Sequence, residues 1–290
     1  MGRGHRVALA TYDVAPDLAP DDLLLAAALE RAGLLPAAAV WSDRSVNWSG
    51  FDAVVIRSCW DYHRRHDEFM AWLDALDAAR RPVWNATPIV RWNSDKRYLI
   101  DLARRGVSTV PTRIVGRGSR TSVSDVAQAE GWTRFVVKPA VSASAYETHA
   151  LELPLGGDDR AAVERVIAHG DALVQPFLDE VTTDGELSLI FFDGVFSHAA
   201  IKRSRRGDFR VQTEHGGTVA PVDVVPGIVE EARRALNALD EMPLYARVDG
   251  VGDERAFRLM ELELIEPNVF LSVAQGAADR FAASIARRLG

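Results

Sequence analysis

Short apolar runs alternating with helix-period segments constrain this chain more than any other feature. Residues 6–11, 37–41 and 52–57 read as strands. Residues 21–32, Leu/Ala-rich and closed by Gly33, read as a helix; so do 66–80, with Phe69, Trp72, Leu73 and Leu76 at helical spacing. Such alternation predicts an α/β unit, a parallel sheet with both faces covered. Binding residues in such sheets collect at the C-terminal strand ends. Those ends carry Thr11-Tyr12-Asp13 and Arg57-Ser58-Cys59-Trp60-Asp61-Tyr62.

The pattern then changes. A helix is predicted over 94–105, with Ser94 as N-cap and Gly106 beyond its end. Strands follow at 110–115, 134–139 and 172–177, and helices at 122–130 and 159–169. Gly116–Thr121 reads as a polar loop and 140–145 as a small-residue loop. The last third reads as an antiparallel meander. Strands 185–192 and 195–203 are joined by Asp193-Gly194, and strands 245–251 and 256–265 turn around Gly252-Asp253. A helix at 228–239 lies between the hairpins, and another closes the chain from Gln275. The whole is α/β (α+β), with expected units 1–88, 89–178 and 179–290. With 290 residues, 48% of them hydrophobic, the chain can bury cores of that size.

The net charge of -7 argues against a nucleic-acid partner. No apolar run approaches the roughly 20 residues of a membrane span. The N-terminus leads straight into a strand-like run, with no signal peptide expected. Cys59 is the sole cysteine, which removes internal disulfides and cysteine metal sites. The expectation is a soluble, cytoplasmic protein.

Lysine is the pointed feature of the composition. Of 34 basic residues only Lys96, Lys138 and Lys202 are lysine. A compact ammonium is not interchangeable with a planar guanidinium, and phosphate-gripping sites resist the exchange. Lys96 falls in the first turn of its expected helix, where the dipole disfavours a cation unless an anion is near; alone, it reads better as a solvated surface lysine. Lys138 ends the apolar strand Phe135-Val136-Val137-Lys138-Pro139 and needs a partner, a structural carboxylate or a phosphate. Lys202 and Arg203 end another strand, with Arg205, Arg206 and Arg210 following; this patch is either a solvated loop or faces a triphosphate.

The acidic cluster is the strongest local signal. Period-two geometry puts Arg247 and Asp249 on one face of their strand, and Glu261 and Glu263 on one face of the next. Carboxylates facing each other across a hairpin repel unless a cation holds them. Oxygen donors without His or Cys favour Mg2+, completed by phosphates. The alternative is a solvent-exposed polar face. Glu266 and Asn268 continue the polar series. G-x-S-x-G, Walker-type and G-x-G-x-x-G patterns are absent.

Over nearly its whole length the chain resembles the ATP-grasp superfamily, in the glutathione-synthetase-like branch that includes the O-ureido-D-serine cyclo-ligase of cycloserine biosynthesis. The resemblance rests on Asn93-Ser94-Asp95-Lys96, Gly106-Val107, Val110-Pro111-Thr112, Val136-Val137-Lys138-Pro139, Val174-Gln175-Pro176-Phe177, Gly185-Glu186-Leu187-Ser188, Ser197-His198 to Lys202, Arg247-Val248-Asp249 and Met260-Glu261-Leu262-Glu263-Leu264-Ile265-Glu266-Pro267. It implies an N-terminal Rossmann-like domain followed by two α+β subdomains that clasp ATP. Lys96 and Lys138 would hold phosphates. Gln175, Phe177 and Leu178 would form the adenine hinge, with Glu180 on ribose. Lys202, Arg210 and Arg247 would act at the transferring group. Asp249, Glu261 and Glu263 would ligate Mg2+, with Glu266 and Asn268 as an alternative register. The family pattern departs in two places: relatives often carry Glu-x-Asn where this chain has Glu261-x-Glu263, and the loop after Lys138 lacks the usual glycines.

The implied activity is ATP- and Mg2+-dependent carboxylate–amine ligation through an acyl phosphate on a small amino-acid-like substrate. If carboxylate and amine share one molecule, the product is a ring. Asp13, Arg57, Ser58, Asp61, Glu266 and Asn268 are the expected substrate readers. A phosphotransferase, or a nucleotide-binding regulator without turnover, remains open, and a homodimer is a family-based expectation.

Overall fold

The computed structural model describes residues 4–205, 207–212 and 215–290; Arg206 of the basic loop lies outside them. Its first sheet follows the strand–helix alternation: β1 (Arg6–Thr11), α1 (Pro20–Arg31), β2 (Leu35–Val40), β3 (Ala53–Ser58), α2 (His66–Ala79) and β4 (Val83–Trp84). The strands are parallel, in the order β2-β1-β3-β4. Side-chain alternation divides them between two cores. Val7, Leu9, Ala53 and Val55 pack with Leu25 and Leu29 of α1. Ala8, Ala10, Val54 and Ile56 pack with Phe69, Trp72, Leu73 and Leu76 of α2. The two residues of β4 are too few to show a period, so the sequence did not announce them.

Next come α3 (Thr87–Asn93), α4 (Tyr98–Arg104), β5 (Arg113–Val115), α5 (Val123–Ala129), β6 (Arg134–Pro139), β7 (His149–Glu152), α6 (Gly157–His169), β8 (Ala172–Pro176) and the short α7 (Glu180–Thr183). The helix expected over 94–105 is α4 alone, which begins only at Tyr98, and α3 before it was not expected. Ser94 is the C-cap of α3, not an N-cap, and its hydroxyl donates to Arg91 O at 2.8 Å. Asp95 Oδ1 accepts from Arg97 N at 2.9 Å, a local bond that competes with helix. The second sheet is antiparallel, β5-β8-β6-β7. Phe135, Val137 and Val174 face Val123, Ala127 and Val166 of the covering helices. Val136 and Lys138 point the other way.

The third sheet comprises β9 (Glu186–Phe192), β10 (Val195–Arg203), β11 (Thr218–Pro221), β12 (Tyr245–Val251) and β13 (Arg258–Glu263), with α8 (Pro226–Asn237) between β11 and β12. It is antiparallel, ordered β11-β10-β9-β12-β13. Ile228, Ala232 and Leu236 of α8 cover Leu189, Phe191, Val248 and Leu262. Tyr98, Leu99, Leu102 and Val107 belong to this same core, and Val110 N donates to Leu259 O at 2.9 Å. Helix α4 thus packs on the third sheet, in a core that Leu173 of the second sheet also enters, while Val90 of α3 packs with the first. The closing helix α9 (Ala277–Leu289) returns to the first sheet and sets Phe281 and Ile285 beside Leu9. That core also takes Ile190, Phe192 and Tyr245, so the first and third sheets share an interior. Between the second and third sheets lies a cleft. Among the described residues no helix is long and apolar enough to cross a membrane.

Candidate active site

Strand register builds the centre of the cleft. Asp249 of β12 stands opposite Glu261 of β13, and Arg247 opposite Glu263. On the other side of β12, Asp249 stands opposite Ser188 of β9. Ser188 Oγ donates to Asp249 Oδ1 at 2.6 Å, and Arg247 Nη2 reaches Asp249 Oδ2 at 2.9 Å and Glu263 Oε1 at 2.5 Å. The expected hairpin of facing carboxylates exists, and cations from the protein itself hold it together.

All three lysines reach this cluster. Lys202 Nζ lies 2.9 Å from Asp249 Oδ2 and pairs with Glu186, its register partner on β9. Gly185 permits this start to β9: it sits at φ +96, where a Cβ would meet Lys202 O at 2.8 Å. Lys96 binds Glu261, and Lys138 Nζ is 4.0 Å from Glu261 Oε2. Lys96 is buried, against the bland expectation of a solvated lysine. It lies in the turn between α3 and α4, so the helix-dipole argument does not apply to it. Its N–H donates to Ala140 O at 2.8 Å, tying it to the loop after β6.

Burial and charge divide the acids into two kinds. Burial alone would raise Glu261, but Lys96 and Lys138 outweigh it and pull the carboxyl down to about 2. Asp249 falls well below the carboxylate range because Arg247 and Lys202 outweigh its burial. Glu263 goes the other way, up to about 7: burial, with Asp249 and Glu261 adding to it, exceeds the pull of Arg247. Glu266 rises to about 8 through burial and the neighbouring Glu263. Burial also raises Glu186. Lys138 is depressed by burial, with Lys96 adding to the effect, so it lacks a full counter-charge. A site that holds both an undercompensated ammonium and acids pushed upward can accept anion and cation together.

One end of the cleft is an apolar slot. Val110, Val136, Leu178, Val181, Val211 and Met260 line it beside Gln175 and Phe177. Gln175 Nε2 donates to Thr112 Oγ1 at 3.0 Å, which fixes its side chain. An apolar lining beside one fixed amide suits a heterocycle that buries its faces and offers a polar edge. Val136 was missed by sequence reasoning, yet it shares a strand face with Lys138 and was findable on that ground. Val211 and Met260 carried no such signal. Glu180, expected on ribose, instead pairs with Arg258 and is not among the lining residues. Arg210 lines the rim and pairs with Asp208 at 2.8 Å. Arg203 and Arg205 are exposed and do not line the cleft, so the basic run does not act as a block.

The opposite end is walled by Trp60, Glu266, Asn268 and Phe270. Of the four substrate readers expected from the first domain, none lines the cleft. Arg57 Nε bonds Asp22 Oδ1 at 2.8 Å in the interior, and Ser58 bonds the other oxygen of Asp22. Asp61 accepts from Trp41 Nε1 at 2.8 Å. Asp13 is exposed, 3.9 Å from Arg65. The start of α1 supplies the acid that absorbs Arg57 and Ser58, a contact that no sequence spacing shows. Trp60 is the residue of that strand end that reaches the cleft.

Asp249, Glu261 and Glu263 offer only hard oxygen donors. Asp249 is already saturated by Arg247, Lys202 and Ser188, which leaves Glu261 and Glu263 as the freer pair. In the alternative register, Asn268 Oδ1 is taken by Phe270 N at 2.9 Å. Among the described residues no three His, Cys, Asp or Glu side chains are grouped so as to hold a metal by themselves. A metal here would need further oxygens from a phosphate ligand.

Comparisons with known proteins identify relatives of the chain. The family description for the N-terminal domain of D-cycloserine synthetase DcsG matches residues 7–85. The cycloserine biosynthesis protein DcsG of Streptomyces lavendulae is 34% identical over 290 aligned positions, 96% of this chain and 94% of that protein. The crystal structure of D-cycloserine synthetase DcsG superposes with a TM-score of 0.89 at 32% identity, covering 98% of this chain and 100% of that one. The D-alanine–D-alanine ligase of Bacillus anthracis complexed with ATP shares the fold, with a TM-score of 0.71 at 12% identity over 99% of this chain and 97% of that one. Identity at this level across nearly the full length of both proteins means that the chain belongs to the DcsG family of ATP-grasp ligases.

Proposed function

We propose that this ATP-dependent carboxylate–amine ligase closes a ring on a small amino-acid-like substrate, one molecule supplying both carboxylate and nitrogen, as in O-ureidoserine cyclo-ligation. The observation that carries the reading is the two-ended cleft: an apolar slot, then Lys96, Lys138, Lys202 and Arg247, then a small wall of Trp60, Glu266, Asn268 and Phe270. The similarity to the cycloserine biosynthesis protein of Streptomyces lavendulae supports a small cyclic product.

In this reading Gln175, Phe177 and Leu178 receive the adenine, and Lys96 and Lys138 bind the phosphate chain. The substrate carboxylate attacks the γ-phosphorus, the bond to ADP breaks, and an acyl phosphate forms. Lys202 and Arg247, with Arg210 at the rim, neutralise the charge that builds on the transferring group. The substrate nitrogen then attacks the acyl carbon, loses its proton, and expels phosphate. Glu266 and Asn268 orient the reacting molecule. Mg2+, held by Glu261 and Glu263 with Asp249 behind them, would supply charge neutralisation on the phosphate oxygens.

The test incubates the protein with ATP, Mg2+ and a panel of amino acids bearing a second nitrogen, O-ureidoserine included. Equal release of ADP and phosphate with a cyclic product supports the reading. A phosphorylated product that accumulates would point to a phosphotransferase. No ADP with any member of the panel would sink the ligase reading in favour of a regulator.

A further inference from the structure

After β13 the chain leaves the sheet, and residues 266–270 form the substrate end of the cleft. Successive carbonyls there are each held by a side chain from elsewhere. Glu266 O accepts from Trp60 Nε1 at 3.0 Å, and Pro267 O from Arg57 Nη2 at 2.8 Å. Asn268 O accepts from Arg247 Nη1 at 3.0 Å, and Val269 O from His198 Nε2 at 2.9 Å. His198 Nε2 also lies 3.2 Å from Phe270 O. Beyond this run, Asp21 accepts from Leu271 N at 2.6 Å and from Ser272 N at 3.1 Å.

His198 is the member of this set that neither lines the cleft nor carries a fixed charge. It lies buried on β10, 7% exposed. Two carbonyls can only accept, so Nε2 must carry the proton. Nδ1 is then an acceptor, and Ser197 Oγ, 2.9 Å away, donates to it. Arg280 Nε of α9 donates to the same Ser197 Oγ at 2.9 Å. The closing helix, through Ser197, therefore holds the other edge of the ring in the tautomer that the two carbonyls select. The residue so held is Phe270, whose backbone sits in the left-handed region at φ 50 and whose ring lines the cleft, 5.4 Å from the Arg247 guanidinium. A non-glycine residue stays in that region only where its surroundings over-determine it.

We infer that His198 is a positioning residue for the substrate end of the site: its Nε2–H fixes Val269 and Phe270, and thereby the wall against which the substrate is read. The inference rests on the proposed reading of that wall. His198 touches no reacting atom, so its effect must fall on the substrate and not on ATP.

The experiment measures steady-state kinetics with ATP and O-ureidoserine, or the panel member that yields ADP, varied separately. His198→Leu removes the donor at similar volume; it is expected to raise the substrate KM about tenfold while the ATP KM stays within about twofold. His198→Gln, which keeps an N–H at similar reach, is expected to recover most of that loss. Equal shifts in both KM values, no shift in either, or a folded Gln variant as poor as Leu would overturn the inference. If Leu does not fold, Ser197→Ala decides, since it removes the hydroxyl that steadies the ring at Nδ1 and leaves the ring itself: a selective rise in substrate KM supports the inference, and no rise overturns it. Phe270→Ala separates the two levels. If it leaves the substrate KM unchanged, the wall itself is misread; if it raises that KM while the His198 variants do not, only the positioning role fails.

Discussion

Lys202 reaches Asp249 at 2.9 Å although their strands do not pair; β9 runs between β10 and β12, and the ammonium crosses over it, contacting Glu186 on the way. This bridge joins the basic strand end to the carboxylate face and makes one site of two hairpins. Replacing Lys202 by Met leaves Glu186 unpaired in the interior. Breaking a buried pair of this kind costs about 3 kcal/mol. The expected result is a lower denaturation midpoint and a fall in kcat of about a hundredfold or more. Denaturant titration and ADP release on the same preparation check it; wild-type kcat in a destabilised variant would remove Lys202 from the chemistry.

Glu261 is the shared partner of Lys96 and Lys138. Glu261→Gln removes the charge that the two buried ammoniums share, so it should lower stability, and it would also remove one of the two freer oxygen donors for a metal. We expect the Mg2+ concentration for half-maximal ADP release to rise about tenfold or more. An unchanged Mg2+ dependence would move the metal to other donors.

Glu263 and Glu266 set a pH dependence on the nucleotide-free protein. Their carboxyls sit at about 7 and about 8, above the unfolded value of 4.5. Between those values the folded state binds protons that the unfolded state has lost, so this contribution is fully present below 4.5 and disappears as pH rises through 7 and 8. Thermal unfolding followed from pH 6 to pH 9 should show falling stability, and Glu266→Gln should flatten the slope. Binding of Mg2+ and nucleotide near pH 7 should release protons, visible as a buffer-dependent heat in calorimetry.

The loop after Lys138 lacks glycine yet takes left-handed conformations at Ser144 (φ 50), Ala145 (φ 54) and Glu147 (φ 46). Between them Tyr146 packs against His63, ring centroids 5.4 Å apart, with the Arg64 guanidinium 5.6 Å from its ring. Contacts with the first domain hold the loop in a shape that its sequence disfavours. Ala145→Gly should therefore stabilise the protein by about 1 kcal/mol. Loss of stability on that change, measured by chemical denaturation, would contradict the strain.

Local pattern made much of the architecture legible. Val7 and Leu9 against Ala8 and Ala10 announce a strand buried on both faces, and Asp193-Gly194 announces a hairpin, because side-chain period and turn chemistry act over a few residues. The facing of Asp249 and Glu261 followed from the same periodicity once the hairpin was assumed. Lysine scarcity pointed to the residues of the cleft, since an ammonium that survives such a bias has a use that a guanidinium does not meet.

Other features depended on contacts made far along the chain. Nothing near Arg57 in sequence indicates that Asp22 and Pro267 O will claim it, and so of that strand end Trp60 lines the cleft and Arg57 does not. Leu99 and Leu102 entered one core with Leu189 and Leu262 of the third sheet, a matter of packing and not of chain order. Periodicity and composition are read within a few residues and so fixed the strands, the hairpins and the inventory of charges. Which charge meets which was decided only on folding, because buried groups must find partners wherever the packed chain places them.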